Sequence, residues 1–420
     1  MIKLIGFEIY GHSLFKDGTS FTLETSGQIT NKTKNRVIRF NDSLTLNRVI
    51  GIVGINATGK STLMEIFDGL NSLYLLGQSI DQTPLNERLR SKENKITVKA
   101  NLATNEDDRY VVVTTFEKVP VTDGVEDDIR EWIITNEKVY YRKTKRVSKK
   151  NYFRIADGKL DSTGLILDHN RNDLSKSEKK LLSDKDSIFR ATDKPKEISA
   201  VISTVKNTNQ NKFISFMDQT PIELLTYLDN SIDYLDYEKD DKGQTTRYAL
   251  KFKDSDEVIK VSNFKEFDKY LSSGTIKGVT LFFQFLTALR VGATLMVDEI
   301  ELHINKQIVR DFIGFFADPT VNVNNATLVY SSHYVELTDD LQRNDEEYIL
   351  IRKGKTQLMR LNEMAVRPEL KNSEVFQNNT FRGTAPNYQA YQALKSVVRT
   401  HNIDHHYLER EKSNINEVVR

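Results

Sequence analysis

The chain has 420 residues, 38% of them hydrophobic and 28% charged, with a net charge of +1 and no cysteine. That length exceeds a single core and predicts two or three structural units, and the composition excludes a disordered chain. Without cysteine, disulfides, thiolate metal sites and a cysteine nucleophile are excluded and a cytoplasmic setting fits, while the balanced charge makes no global case for nucleic acid.

The N-terminal MIKLIGFEIYGHSLF is too broken by polar residues for a signal peptide and reads as a strand. No apolar run approaches the roughly 20 residues of a membrane span, so no membrane partner is expected. KLIGFEIY and SFTLET alternate apolar and polar residues, which predicts an antiparallel sheet. NRVIGIVG is almost continuously apolar, as in a strand buried on both faces. After a glycine loop, Leu63, Ile66, Phe67, Leu70 and Tyr74 recur at helical spacing. Strands return between about 95 and 155, in KITVKANLAT, RYVVVTTFEK and EWIITNEKVYYRK. Residues 156–235 read as a mainly helical insertion or arm, through SKSEKKLLSDKDSIFRA, KEISAVISTVKN and PIELLTYLDNSIDYL. A hairpin, TRYALKFKDSDEVIKV, then leads into a buried helix, VTLFFQFLTAL, and two buried strands, ATLMVDE and ATLVYSSH. The tail predicts one more hairpin, EYILIRKGKTQLMRL, turning at Lys-Gly-Lys, and then helices. The acidic NDEE before it reads as a solvated turn.

Four short stretches carry chemistry. Gly54, Gly59, Lys60 and Ser61 complete G-x-x-x-x-G-K-[ST] in GINATGKST, with Asn56, Ala57, Thr58 and Thr62 in the same loop. Glycines there let backbone N–H groups turn onto phosphate oxygens, the lysine reaches the β- and γ-phosphates, and the serine hydroxyl is a magnesium ligand. In LMVDEIELH, a buried strand ends in Asp298, suited to hold magnesium, and Glu299, suited to polarise a water as general base. LSSGTIKG places Ser272 and Gly274 at a helix start, where they serve as phosphate ligands or as an ordinary N-cap turn. LVYSSHYVEL ends a third strand in His333, a γ-phosphate sensor or a plain strand-end histidine. One further stretch, YRKTKRVSKKNYFR at 141–154, concentrates Arg142, Lys143, Lys145, Arg146, Lys149 and Lys150 between aromatics. It suits nucleic acid or a solvated hairpin edge.

In this order the four motifs resemble the ABC-type ATPase head, with GINATGKS as Walker A, LSSGT as signature, LMVDE as Walker B and SSH as switch histidine. More narrowly, the stretch from LSSGT to the helix after DEIELH is similar to prokaryotic SMC/OLD-related ATPases. That group includes DNA-repair ATPases and the ATPase subunits of antiphage and abortive-infection systems. HINK lacks the proline that usually follows the histidine of that block. The residues after His333 are too few for the Toprim nuclease that OLD proteins often carry. The resemblance implies an α/β fold, an ABC-type P-loop head with a mixed central sheet and an antiparallel N-terminal sheet. It would divide into a Walker A half at 1–155, the insertion at 156–235, a half with signature, Walker B and histidine at 236–365, and a helical tail at 366–420. It implies ATP and Mg2+ as cofactors, and catalytic roles for Glu299, His333 and Lys60. Gln82 is the best match for the Q-loop glutamine, a further magnesium ligand. In such heads the signature serves the ATP of the opposite subunit, so Ser272 and Gly274 would act in a homodimer that closes on ATP and opens on hydrolysis. The expected function is an ATPase controlling a separate effector, a nuclease or toxin, in a defence or toxin–antitoxin module. The alternatives are an SMC- or RecF-like DNA-repair ATPase, a transporter's nucleotide-binding subunit, and a scaffold with slow or no hydrolysis.

Overall fold

The computed structural model describes residues 1–120, 130–143, 164–173, 183–189, 197–205, 219–241, 245–364, 372–377 and 388–403. The first half supplies β1 (Ile2–Tyr10), β2 (Thr19–Thr22), β3 (Val37–Arg39), β4 (Thr45–Asn47) and β5 (Val49–Gly54). It continues with β6 (Lys95–Thr104), β7 (Asp108–Pro120), β8 (Arg130–Lys143) and β9 (Leu165–Asn170). Six of these form an antiparallel sheet in the order β2-β1-β6-β7-β8-β9, and β3 pairs with β4 alone. The second half supplies β10 (Val201–Ser203), β11 (Ile232–Lys239), β12 (Thr245–Phe252) and β13 (Val258–Val261). Then follow β14 (Thr294–Val297), β15 (Thr327–Ser332), β16 (Glu347–Lys353) and β17 (Lys355–Arg360). The central sheet runs β10-β14-β15-β5-β16-β17, parallel except for β17, while β11, β12 and β13 make a small antiparallel sheet.

Among the described residues the α-helices are α1 (Lys60–Asn71), α2 (Leu85–Arg88), α3 (Ile222–Leu228), α4 (Ser273–Val291), α5 (Lys306–Ala317), α6 (Asn372–Gln377) and α7 (Tyr388–Ile403). β5, β14 and β15 are buried throughout, and the side chains of the parallel sheet divide between two large cores and a smaller cluster around Val53, Ile349 and Ile351. Ile50, Ile52, Met296 and Val329 face α1 and the antiparallel sheet, where Leu63, Ile66, Phe67 and Leu70 fill the gap. Val49, Leu295, Val297, Leu328 and Tyr330 face α4, α5 and the small sheet, around Phe285, Phe312 and Phe316. Alternation along each strand therefore sandwiches the sheet between helices, as parallel strands require. It leaves the carboxyl ends of β5, β14 and β15 side by side at one rim, which is where ligands bind such sheets.

Two expectations need correction. Within 156–235, the described residues include α3 but also β9, β10 and the start of β11, so the span is not a mainly helical arm there. KEISAVISTVKN supplies β10, because its β-branched Val201 and Ile202 extend the parallel sheet beside β14. Most of SKSEKKLLSDKDSIFRA lies outside the described residues. The NDEE cluster is also not solvated: Asp345, Glu346 and Glu347 are all buried. Arg343 pairs with Asp345 at 2.7 Å, Arg36 with Glu346 at 3.1 Å, and the Ser26 and Gly27 amides both donate to Asp345 at 2.7 Å. Two arginines and two loop amides thus replace water around Asp345 and Glu346 and tie the loop after β2 to the start of β16.

One buried acid makes stability depend on pH. Glu137 on β8 is fully buried, accepting from Ser187 Oγ at 2.8 Å and from the Ile188 amide at 3.0 Å. Burial raises its pKa from 4.5 to about 6, and these bonds together with Arg171 only partly oppose the rise. The folded state therefore holds this proton more tightly than the unfolded chain, and stability falls as pH climbs through that interval. The loss is on the order of 2 kcal/mol at neutral pH. Glu137→Gln keeps an acceptor toward Ser187 and Ile188, so its melting temperature should exceed the parent's near neutrality and converge with it below the ordinary carboxylate range. A difference independent of pH would contradict this.

Candidate functional site

β5 ends at Gly54, where an added Cβ would stand 2.8 Å from Thr58 Oγ and 3.1 Å from the Leu350 carbonyl. The chain then turns through left-handed Ala57 (φ +61°) and Gly59 (φ +100°). Thr58 braces the turn, its hydroxyl donating to the Ile55 carbonyl at 2.8 Å. Arg352 reaches over from β16 and donates to the Ala57 carbonyl at 3.0 Å. α1 starts at once with Lys60, whose Nζ donates back to the Gly54 carbonyl at 2.8 Å. The loop is thus a closed ring of contacts, with the positive end of α1 facing its mouth.

The acidic side comes from the neighbouring strands. Asp298, immediately after β14, is buried; its Oδ2 accepts from Ser61 Oγ at 2.5 Å, and its Oδ1 accepts from Ser331 Oγ on β15. Ser331 Oγ also accepts the Glu299 amide at 2.9 Å. That bond helps hold Glu299 at φ +47°, a conformation that costs a non-glycine residue energy. His333, just past β15, stands 3.5 Å from Glu299 Oε1 and 3.5 Å from Lys60 Nζ. Its amide donates to Glu301 Oε1 at 2.6 Å. Burial lowers the Lys60 pKa, and the charges of Asp298, Glu299 and Glu301 push it back up. Lys277 on α4 has the same balance: burial lowers its pKa, and Glu299 and Asp298 oppose the fall.

A cleft of about 720 Å³ opens over this corner, lined by Asn56, Ala57, Gly59, Lys60, Ser61, Thr62, Glu299 and His333. Its size falls in the range of small-molecule and cofactor sites, and its floor combines lysine, helix start and hydroxyl, which suits phosphate. Ser61 Oγ and Asp298 Oδ2 are hard oxygen donors already side by side. They fit magnesium, which takes one or two protein oxygens and completes its shell with phosphates and water. Thr58 supports the cleft from behind without lining it.

Of the expected residues outside the lining, Gly54 and Asp298 contact Lys60 and Ser61, whereas Gln82, Ser272 and Gly274 do not line the cleft. Gln82 sits in a short turn whose start it caps, its Oε1 accepting the Ser79 amide at 3.3 Å. Ser272 caps α4, accepting the Thr275 amide at 3.0 Å. An added Cβ at Gly274 would stand 2.6 Å from the His303 carbonyl, so α4 abuts the loop that follows Asp298. Of the basic stretch, 144–154 lies outside the described residues, while Arg142 and Lys143 are exposed at the end of β8. Sequence reasoning overlooked Ser331, Glu301 and Lys277. The doubled serine of SSH and the second acid of DEIE were the available signals for the first two. Lys277 lay one turn into the LSSGTIKG helix.

A protein-family model described as "AAA domain, putative AbiEii toxin, Type IV TA system" matches residues 49–339, which run from β5 past His333. No curated protein matches the chain. Among solved structures, the chain is similar to one titled "Crystal structure of the SmcHead bound to the C-winged helix domain of ScpA". The two share 13% identity over 86% of this chain and 98% of that one, with a TM-score of 0.39.

The loop geometry predicts a specific lesion. Gly59→Ala would place a Cβ 2.6 Å from Leu14 Cδ2 at a φ of +100°. It should cost about 1–3 kcal/mol of stability, read by denaturant unfolding. A variant as stable as the parent would show that the loop is not held as described.

Proposed function

Since the chain belongs to this AAA-domain family, we propose that it is an ABC-type ATPase that closes as a head-to-head homodimer on ATP and controls a separate effector. The observation that carries the reading is the 2.5 Å contact between Ser61 and Asp298 beside Lys60, Glu299 and His333. It joins the loop suited to phosphate and the acid suited to a metal in one cleft. Ser61 and Asp298 would hold magnesium, which when bound supplies charge neutralisation to the phosphates. Lys60, together with the loop amides of 55–61, orients the β- and γ-phosphates and stabilises charge on their oxygens. Glu299 accepts a proton from the attacking water as its oxygen bonds to the γ-phosphorus. The bond from that phosphorus to the bridging oxygen breaks, and ADP leaves with that electron pair. His333, within 3.5 Å of both Lys60 and Glu299, would stand at the γ end of the bound nucleotide. That Ser272 and Gly274 do not line the cleft of their own chain fits their acting on a partner's nucleotide. The toxin–antitoxin wording of the family description supports a separate effector.

Glu299→Gln should retain ATP affinity within about threefold and lose turnover by about 100-fold or more, the usual span of a general base. Nucleotide binding and phosphate release measured on the same preparation check both halves. Hydrolysis at the parental rate would remove Glu299 from the base role.

A further inference from the structure

We infer that Glu301 is a positioning residue, holding the His333 backbone so that the imidazole stays at the phosphate end of the cleft. The inference rests on the ATPase reading above and goes beyond it in giving a task to an acid outside the cleft lining.

The β15 ladder ends at Ser332, which pairs with Val53 on β5. The next amide, that of His333, has passed the end of the sheet, and it donates instead to Glu301 Oε1 at 2.6 Å. On the far side, Ser332 Oγ accepts the Tyr334 amide at 2.8 Å. Residue 333 is therefore gripped by an acceptor on either side, and the shorter of the two bonds is to a carboxylate. Charge-assisted bonds of this kind are the stronger ones.

Glu301 reaches that amide because the chain after Asp298 doubles back. Left-handed Glu299 (φ +47°) and His303 (φ +65°) bracket the turn. The Leu302 amide donates to the Glu299 carbonyl at 2.9 Å, and the Ile304 amide to the Glu301 carbonyl at 3.0 Å. The Ile300 amide donates to the Ser331 carbonyl at 3.1 Å, which pins the turn against β15. Glu301 as a whole is only 7% exposed, and its Oε2 is buried with no hydrogen-bond partner among the described residues. A half-satisfied buried carboxylate is costly to a fold, and so are two non-glycine residues in the left-handed region. Both costs converge on the one bond that places His333, whose ring stands 3.5 Å from Lys60 and from Glu299.

The test is steady-state ATP hydrolysis by the parent, Glu301→Ala, Glu301→Gln, Glu301→Asp, His333→Ala and the Glu301→Ala/His333→Ala double variant. Removing the acceptor should lower kcat about 10- to 100-fold, as for other residues that orient a catalytic ligand, with KM for ATP within about threefold. Glu301→Gln retains an acceptor of the same reach and should recover most of the rate, whereas Glu301→Asp is too short and should not. On the His333→Ala background, Glu301→Ala should cost nothing more. Glu301→Ala within about twofold of the parent, or a loss that adds in full to that of His333→Ala, overturns the inference. If Glu301→Ala does not fold, the Gln and Asp variants decide it, because a role for the charge alone predicts the reverse order. A parent with no magnesium-dependent hydrolysis overturns the ATPase reading and this inference with it. A hydrolysing parent with indifferent Glu301 variants overturns this inference only.

Discussion

The contact between Ser61 and Asp298 ties together elements 237 residues apart in the chain. Ser61 belongs to the first turn of α1, which is wedged between the two large sheets by Leu63, Ile66, Phe67 and Leu70. Asp298 caps β14, whose side chains alternate between the two cores. Neither residue is free to move without disturbing a packed interior, and close-packed interiors resist small shifts. The geometry of the cleft is thus set by apolar burial far from it. Its polar groups contribute position and charge more than stability.

Around that contact the chain accepts local strain. Ala57 and Glu299 both hold left-handed backbone at the cleft, and His303 does so where the following loop meets α4. Each departs from what its side chain prefers, and each is over-determined by neighbours. For Glu299 the neighbour is Ser331, whose single hydroxyl serves both Asp298 and the Glu299 amide. Three carboxylates, Asp298, Glu299 and Glu301, also act on one buried ammonium at Lys60. Such a concentration of acid becomes favourable when a cation arrives, which matches a site for magnesium.

The features legible in the sequence were those whose spacing is dictated by local backbone geometry. GINATGKST had to be a strand–loop–helix corner, because glycine spacing, the apolar run before it and the helical period after it agreed. LMVDE and SSH were legible for the same reason, as apolar strands ending in polar groups. What was missed depends on contacts distant in the chain. Nothing in NDEE announces that Arg36 and Arg343 will bury it, and nothing in VISTV separates an edge strand from a helix. Gln82 was the best match for the Q-loop glutamine, yet its side-chain oxygen is engaged in capping its own turn. Glu301 was passed over because its role depends on a turn with two left-handed residues, which sequence pattern does not display.

Ser61 and Asp298 are proposed as the seat of a metal–nucleotide complex. Electron paramagnetic resonance of Mn2+, used in place of magnesium with a non-hydrolysable ATP analogue, tests it most directly. One tightly held Mn2+ per chain is expected, requiring the nucleotide and lost in Asp298→Ala. Undiminished Mn2+ binding in Asp298→Ala, or binding indifferent to nucleotide, would contradict it.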